Sequence, residues 1–517
     1  MPDVPREETR LRLLFLNPLN KMDDFPRDIP FHLARLVNMV ATAGHEVDLM
    51  DLNILRELNR KEAIIDVIKT EGVVDENRGD YDLAWLSGPF STFAEISRTI
   101  DLLRGITPDM VTVVGGKIGT YAPTEVLKSM KGLDIAVSGD EEDTLTEIIE
   151  RVPGQRWGPI KGISFREGKG IRRNPPREPK EDVESLPYPN YTRDVQLQRY
   201  FQLSPMMICP EAITCKRRLS FSWQRDYVSP FPSDNGKLIG RFPTPKYAIK
   251  NITEVRYKQA IDFATLIDKG ITSNMEWFSE FVQAYMEEDL YDIVSWSCWV
   301  DPEEIWKNPK IARTMKDAGC RAVLMELDGP TNAHHQTTID MFKQVGISIA
   351  LRFVVGTPTQ QIDDLISMAD LCITNKMEPY EVVQPNLYPD GPYFEAYKDD
   401  ILAPYLGDLS AFLMDEPRNN QVSWTGGLDF ADSIALRSMV RTRDMANLLR
   451  FTHRRALSHS PAYGKYCPIC KLITEGRKTV IKATKILQEA VSESRIPPDA
   501  SKPTIGSTRP SLSGGIP

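Results

Sequence analysis

Cysteine, histidine and long apolar runs are all scarce in this chain. Seven cysteines in 517 residues exclude a disulfide-stapled scaffold. Cys298, Cys320 and Cys372 lie in apolar surroundings and read as small core residues. Cys209, Cys215, Cys467 and Cys470 lie near polar or turn residues, and are the thiols expected to do chemistry if any do. No apolar run reaches the ~18 residues that a membrane-spanning helix needs. Positive charge is not in excess: 63 Lys and Arg face 72 Asp and Glu, a net charge of −9. That balance argues against nucleic acid or an anionic membrane as a partner and leaves a small-molecule substrate. The opening MPDVPREETR is charged and has no apolar signal core, so the expected location is the reducing cytoplasm.

Hydrophobic residues make up 41% of the chain, ample for buried cores. At roughly 150 residues per domain the length predicts about three domains. In the first 152 residues short apolar runs alternate with helical patterns. LRLLFL (11–16), HEVDLMDL (45–52), YDLAWLSG (81–88), MVTVVGGK (110–117) and LDIAVSGD (133–140) read as strands. The alternation predicts a doubly wound parallel α/β sheet, whose ligands bind beyond the carboxyl ends of the strands. Those ends carry Asn17, Ser87, Gly115-Gly116-Lys117 and Ser138-Gly139-Asp140, with Ser91 and Thr92 opening the helix after the third strand. These are the candidate ligand-binding residues. Glycine there lets a ligand approach the backbone closely.

Residues 153–200 are rich in proline and charge and read as a linker or a small hairpin. A second strand-and-helix series occupies 201–400, with strands expected near 262–268, 292–300, 321–329, 348–356 and 380–388. This spacing predicts a partial (β/α)6 barrel with its working face at the strand C-termini. Residues 401–493 read as helical and basic in their larger part, and 494–517 have the composition of a disordered tail.

Several segments, in order, resemble the cobalamin-binding radical SAM family, which includes methyltransferases and oxidative cyclases. They are LRLLFLNPLN, LARLVNMVATAGHEVDLMDLN, YDLAWLSGPFSTFAEI, VTVVGGKIGTYAPTEVL, LDIAVSGDEEDTLTEII and, in the barrel, SWSCWVDPE, MKDAGCRAVLMELDGPTN, FVVGTPTQQIDDLI and NLYPDGPYFEAY. The resemblance implies a cobalamin-binding Rossmann-like domain, a radical-SAM-type barrel, and cobalamin and S-adenosylmethionine as cofactors. By the same resemblance Asp328 matches the acid that contacts the SAM ribose. Gly356 opens the glycine-proline turn at its adenine and methionine end, and Asp268 matches an acid at an early strand end. The Asp-x-His-x-x-Gly sequence of other cobalamin proteins is absent, as in most of this family. The lower cobalt face is therefore expected to lack a histidine ligand, and neither His32 nor His45 is placed as that motif requires. His334 and His335, read as a loop beside Asp328, are the candidate proton-transfer groups.

One departure bears on activity. The family holds its iron–sulfur cluster with three cysteines, spaced C-x3-C-x2-C, in the loop after the first barrel strand. The corresponding region is read here as MMICPEAITCKRRLSFSW. Counted from Cys215, the other two positions are Leu219 and Ser222. Counted from Cys209, Cys215 falls two residues late and no third cysteine follows. At most two thiolates are present, and serine or leucine does not replace the missing one. The cluster is therefore expected to be absent. Cys467 and Cys470, a Cys-x-x-Cys pair, supply missing ligands, bind another metal, act in redox chemistry or are structural. Three functions stay open. One is a cobalamin-dependent, methyltransferase-like enzyme acting by non-radical methyl transfer or redox chemistry. Another is a scaffold or regulatory partner of an intact radical SAM relative. The third is an active radical enzyme with atypical cluster ligands.

Overall fold

The computed structural model describes residues 10–20, 29–54, 81–189, 217–223, 225–228, 238–354, 357–358, 360, 362–377, 379–383 and 385–415. Cys209, Cys215, Cys467, Cys470, Gly356, the helix expected over 54–70 and the C-terminal helical region and tail lie almost wholly outside these residues.

In the first domain, β1 (Arg12–Asn17), α1 (Phe31–Thr42), β2 (Glu46–Asp51), β3 (Leu83–Leu86), α2 (Phe93–Ile106), β4 (Val111–Val114), α3 (Gly116–Tyr121), α4 (Pro123–Ser129), β5 (Ile135–Val137) and α5 (Glu142–Arg151) follow in turn. Leu13 to Leu16 are all fully buried, which is why this run is apolar throughout instead of alternating: helices cover both faces of the sheet. The small hairpin expected within 153–200 forms as β6 (Ile163–Glu167) and β7 (Gly170–Arg173) and pairs antiparallel along β5. Among the described residues the sheet order is β2-β1-β3-β4-β5-β6-β7, the first five strands parallel. The order reverses between β1 and β3. A doubly wound sheet opens a ligand crevice at such a switch point.

The barrel begins with β8 (Arg218–Phe221), followed by a hairpin of β9 (Arg225–Val228) and β10 (Leu238–Arg241) and by α6 (Pro245–Gln259). Then come β11 (Phe263–Leu266), α7 (Met275–Glu287), β12 (Ser295–Trp299), α8 (Pro302–Lys307), α9 (Ile311–Asp317), β13 (Cys320–Leu327), α10 (Ala333–Val345), β14 (Ser348–Val354), α11 (Ile362–Asn375) and β15 (Pro379–Val383). The single helix read over 302–318 is two, interrupted at Asn308-Pro309, because proline disfavours helical backbone in the residue before it. Six strands pair in the order β15-β14-β13-β12-β11-β8, all parallel. Trp296, Cys298, Val323, Met325, Leu351 and Phe353 pack outward against the helices. The alternate positions Ser297, Trp299, Glu326 and Arg352 therefore face the barrel interior.

After the barrel the chain returns to the first domain. Leu387, Phe394, Ile401, Leu402, Phe412 and Leu413, in part from α12 (Lys398–Leu402) and α13 (Leu409–Met414), pack with α2 and α4 residues such as Phe93, Ile96, Val126 and Leu127. Tyr388 stacks on Phe90 with ring centroids 5.8 Å apart. The two domains are also joined by charge: Arg241 makes a bidentate pair with Asp140, at 2.8 and 2.9 Å, with both side chains largely buried. No helix among the described residues is long and apolar enough to cross a membrane.

Candidate functional site

A cavity of about 700 Å³ lies at the carboxyl edge of the first sheet, at its switch point. Asn17 comes from the end of β1, and Ser87, Gly88 and Pro89 from the end of β3. Gly116, Lys117, Thr120 and Tyr121 follow β4, and Gly139, Asp140 and Glu141 follow β5. Ser222, just past β8, and Asn386 and Asp390, on the returning segment, close it from the other side. A larger hollow of about 980 Å³ lies at the opposite edge, lined by Leu11, Met39, His45 and Ile149 among others. The ends where these strands begin are not where parallel sheets bind ligands, so the smaller cavity is the functional candidate.

Six of the expected binding residues meet in this cavity: Asn17, Ser87, Gly116, Lys117, Gly139 and Asp140. Gly116 and Gly139 have φ of +66° and +84°, the left-handed backbone that favours glycine. Gly115 lies directly beneath the carboxylate of Glu141, which fills the space a side chain at 115 would need. Asp140 is occupied by Arg241 and by the backbone N–H of Lys180 at 2.7 Å, so it holds the domains together. Lys117 reaches Asp390 at 3.1 Å. The others stand aside. Ser138 donates to the Gly119 carbonyl at 2.7 Å and lines a separate, smaller hollow. Ser91 bonds Asn20, and the buried Thr92 closes its own turn on the Pro89 carbonyl.

The residues missed by sequence are His32 and Glu141. His32, the second residue of α1, lines the cavity and places Nε2 2.6 Å from Glu141 Oε2. Glu141 is 1% exposed and also accepts from Trp85 Nε1 at 3.1 Å and from the Gly116 backbone N–H. The signal available was the acidic run Asp140-Glu141-Glu142 at a strand end, since three consecutive acids need partners if buried. Glu142, also buried, pairs with Arg35 at 3.6 Å.

At the barrel mouth, Asp268 accepts from Ser222 Oγ at 2.6 Å and from the Trp223 N–H at 2.7 Å. Inside, Trp299 is flanked by Lys269 Nζ and Arg352 Cζ, 5.2 and 5.7 Å from its ring. Both cations pair with Glu326, at 2.6 and 3.5 Å. The buried Ser297 hydroxyl has no hydrogen-bond partner among the described residues. Asp328 is exposed after β13, and its carbonyl accepts from Gln360.

Two expectations need correction. His334 and His335 are not in a loop but in the first turn of α10. His335 Nδ1 accepts from the Asn332 N–H in a capping box, and His334 stacks on Trp306 with centroids 4.0 Å apart. Burial, with His334 beside it, holds the His335 pKa below its ordinary value. Both rings are thus engaged in holding the start of a helix. The second correction concerns the cluster loop. MMICPEAITCKRRLSFSW runs up to and through β8, so Cys209 and Cys215 precede the first barrel strand and do not follow it. The loop that does follow, residues 222–244, holds the β9–β10 hairpin and contains no cysteine. Cys298, Cys320 and Cys372 are buried, as expected of core thiols, and burial pushes the Cys298 thiol pKa up. No group of three or more His, Cys, Asp or Glu suited to a metal ion occurs among the described residues.

Residues 29–149, which supply most of the walls of the cavity, match the family model of the B12 binding domain. The whole arrangement has the fold of cobalamin-dependent radical SAM enzymes. The radical S-adenosylmethionine methyltransferase TsrM from Kitasatospora setae, solved with cobalamin and a [4Fe-4S] cluster, is similar with a TM-score of 0.64 at 14% identity, covering 93% of this chain and 100% of that one. The cobalamin-dependent radical enzyme OxsB, solved with aqua-cobalamin and S-adenosylmethionine, gives a TM-score of 0.53 at 12% identity, covering 94% and 71%. In sequence, the anaerobic magnesium-protoporphyrin IX monomethyl ester cyclase of Rubrivivax gelatinosus is 22% identical over 290 residues, 52% of this chain. That match spans half the length of the cyclase. An uncharacterised methyltransferase of Pyrococcus horikoshii is 21% identical over 359 residues, covering 65% of this chain and 71% of that one.

Proposed function

We propose that this chain is a cobalamin-binding enzyme of the methyltransferase and cyclase type whose barrel works without the three-cysteine cluster. The observation that carries the reading is the cavity at the switch point, lined mostly by the segment that matches a B12 binding domain. Its donor set suits cobalamin. Asn17 and Ser87 offer an amide and a hydroxyl to the amide fringe of a corrin, Thr120 and Asn386 are held in place by their own hydrogen bonds to Gly116, Gly139, Tyr388 and Asp390, and Gly116 and Gly139 keep the wall free of side chains. When bound, the cobalt supplies a carrier for a methyl group or for electrons. The residues of the chain would bind and orient: the first-sheet edge would hold the cofactor, and the barrel interior would hold the small-molecule substrate. Trp299 with Lys269, Arg352 and Glu326 offers an aromatic surface edged by both charge signs, and the Ser297 hydroxyl, without a hydrogen-bond partner among the described residues, is a ready donor to a ligand. Asp268 and Asp328 are the proposed contacts to S-adenosylmethionine.

The cysteine-free loop 222–244 supports the non-radical reading, since soft thiolates are what such a cluster needs. The test is retention. Purified protein incubated with hydroxocobalamin and desalted should keep the cobalamin absorbance in near-stoichiometric amount. Loss of that absorbance would overturn the cobalamin reading. A [4Fe-4S] cluster assembled on anaerobic reconstitution, and lost in Cys215→Ala, would overturn the non-radical one.

A further inference from the structure

The charged or titratable side chains that line the cavity at the first sheet edge, tyrosine aside, are His32, Arg35, Lys117, Asp140, Glu141 and Asp390. Each is engaged with a partner among the described residues. Lys117 Nζ stands 3.1 Å from Asp390, whose side chain is 7% exposed and also accepts from the Asn386 amide at 3.0 Å. Arg35 meets the buried Glu142 at 3.6 Å, Asp140 is held by Arg241 at 2.8 Å, and Glu141 faces the His32 ring. The first three of these pairs sum to zero charge. The fourth sums to zero with a protonated imidazole and to −1 with a neutral one. Under either state no cation of the described wall is left without an acid. The Asn17 amide, the Ser87 hydroxyl and the glycine backbone at 116 and 139 complete the lining. An amide on a ligand donates and accepts, as Asn17 and Ser87 do, so the two sides can match. A carboxylate on a ligand only accepts, and desolvating its charge without a cation to meet it is costly.

We infer that the cavity selects corrinoids by the charge of their fringe: it takes the ring whose side chains are all amides and discriminates against the same ring with a free carboxylate. The inference rests on the cobalamin reading above and adds a ligand specificity to it. Lys117 is where that specificity is set. It is the most exposed cation of the wall, with 56% of its side chain accessible, and Asp390 neutralises it.

The experiment is equilibrium dialysis of the full chain near neutral pH, where a corrin carboxylate is ionised. The ligands are hydroxocobalamin, its isolated propionate monocarboxylates and the methyl ester of each. At least one monocarboxylate should bind about tenfold or more weakly than hydroxocobalamin. Its methyl ester, which carries no charge, should regain most of that loss. Asp390→Asn releases Lys117 and should narrow the ratio between amide and acid. The comparison on the unmodified chain decides the matter even if that variant fails to fold. Monocarboxylates that all bind as tightly as hydroxocobalamin would overturn this inference alone, as would an ester as weak as its acid, or a ratio that a folded Asp390→Asn leaves unchanged. Failure to bind hydroxocobalamin at all would overturn the proposed function with it.

Discussion

The carboxyl edges of the two parallel sheets are furnished differently. At the first, buried charges are paired: Glu141 with three donors, Asp140 with Arg241, Glu142 with Arg35. At the second, the first loop of the barrel, residues 222–244, carries a hairpin and no cysteine, and the buried Ser297 hydroxyl stands without a hydrogen-bond partner among the described residues. A pocket built on strand ends, glycine backbone and a few paired polar groups tolerates extensive sequence change. A cluster that needs three thiolates in one short loop does not, because no other side chain supplies their softness.

The comparison is broken most forcefully at the joint. Removing one partner of the Asp140–Arg241 pair leaves a largely buried charge unmatched, so Arg241→Ala should lower unfolding free energy by about 3 kcal/mol, read from urea midpoints. The double variant with Asp140→Ala should cost less than the sum of the two singles, since the pair is shared. Gly116→Val acts on the first edge alone. Its φ is +66° and its Cβ would stand 2.4 Å from Ser87 Oγ, a strain of about 1–3 kcal/mol. It should abolish cobalamin retention while leaving barrel variants such as Asp268→Asn unaffected in that assay.

A smaller effect belongs to the barrel. The folded pKa of His335 is held below its unfolded value, so the capping box contributes fully above the ordinary histidine pKa of about 6.5. It is lost as pH falls through the lower folded value, because a proton on Nδ1 removes the acceptor for the Asn332 N–H. The loss should be about 1 kcal/mol or less in thermal melts, and His335→Gln should flatten this dependence because glutamine accepts at the same position. Smallest of all, Cys209→Ser with Cys215→Ser should leave cobalt retention unchanged.

The fold was legible where strand and helix periods alternate: the five parallel strands of the first sheet and the last five of the barrel all form on the apolar runs that predict them, three of them (β1, β13 and β15) overrunning the predicted range by one residue. β8 was not, because RLSF carries a charge and a serine on its inward face and lies in a segment read for its cysteines. Its position moves those cysteines to the wrong side of the strand. In the site, the glycine-rich strand ends were readable one by one, since each follows an apolar run. The pairing of His32 with Glu141 spans 109 residues and no local pattern encodes it. Ser91, Thr92 and Ser138 look the same in sequence as Ser87, yet their hydroxyls turn back onto their own neighbourhood.

The contrast between the two edges is tested most directly by metal content after anaerobic reconstitution with hydroxocobalamin, iron and sulfide together, followed by desalting. The account predicts near-stoichiometric cobalt and only trace iron. Near-stoichiometric cluster iron, or iron without cobalt, would contradict it.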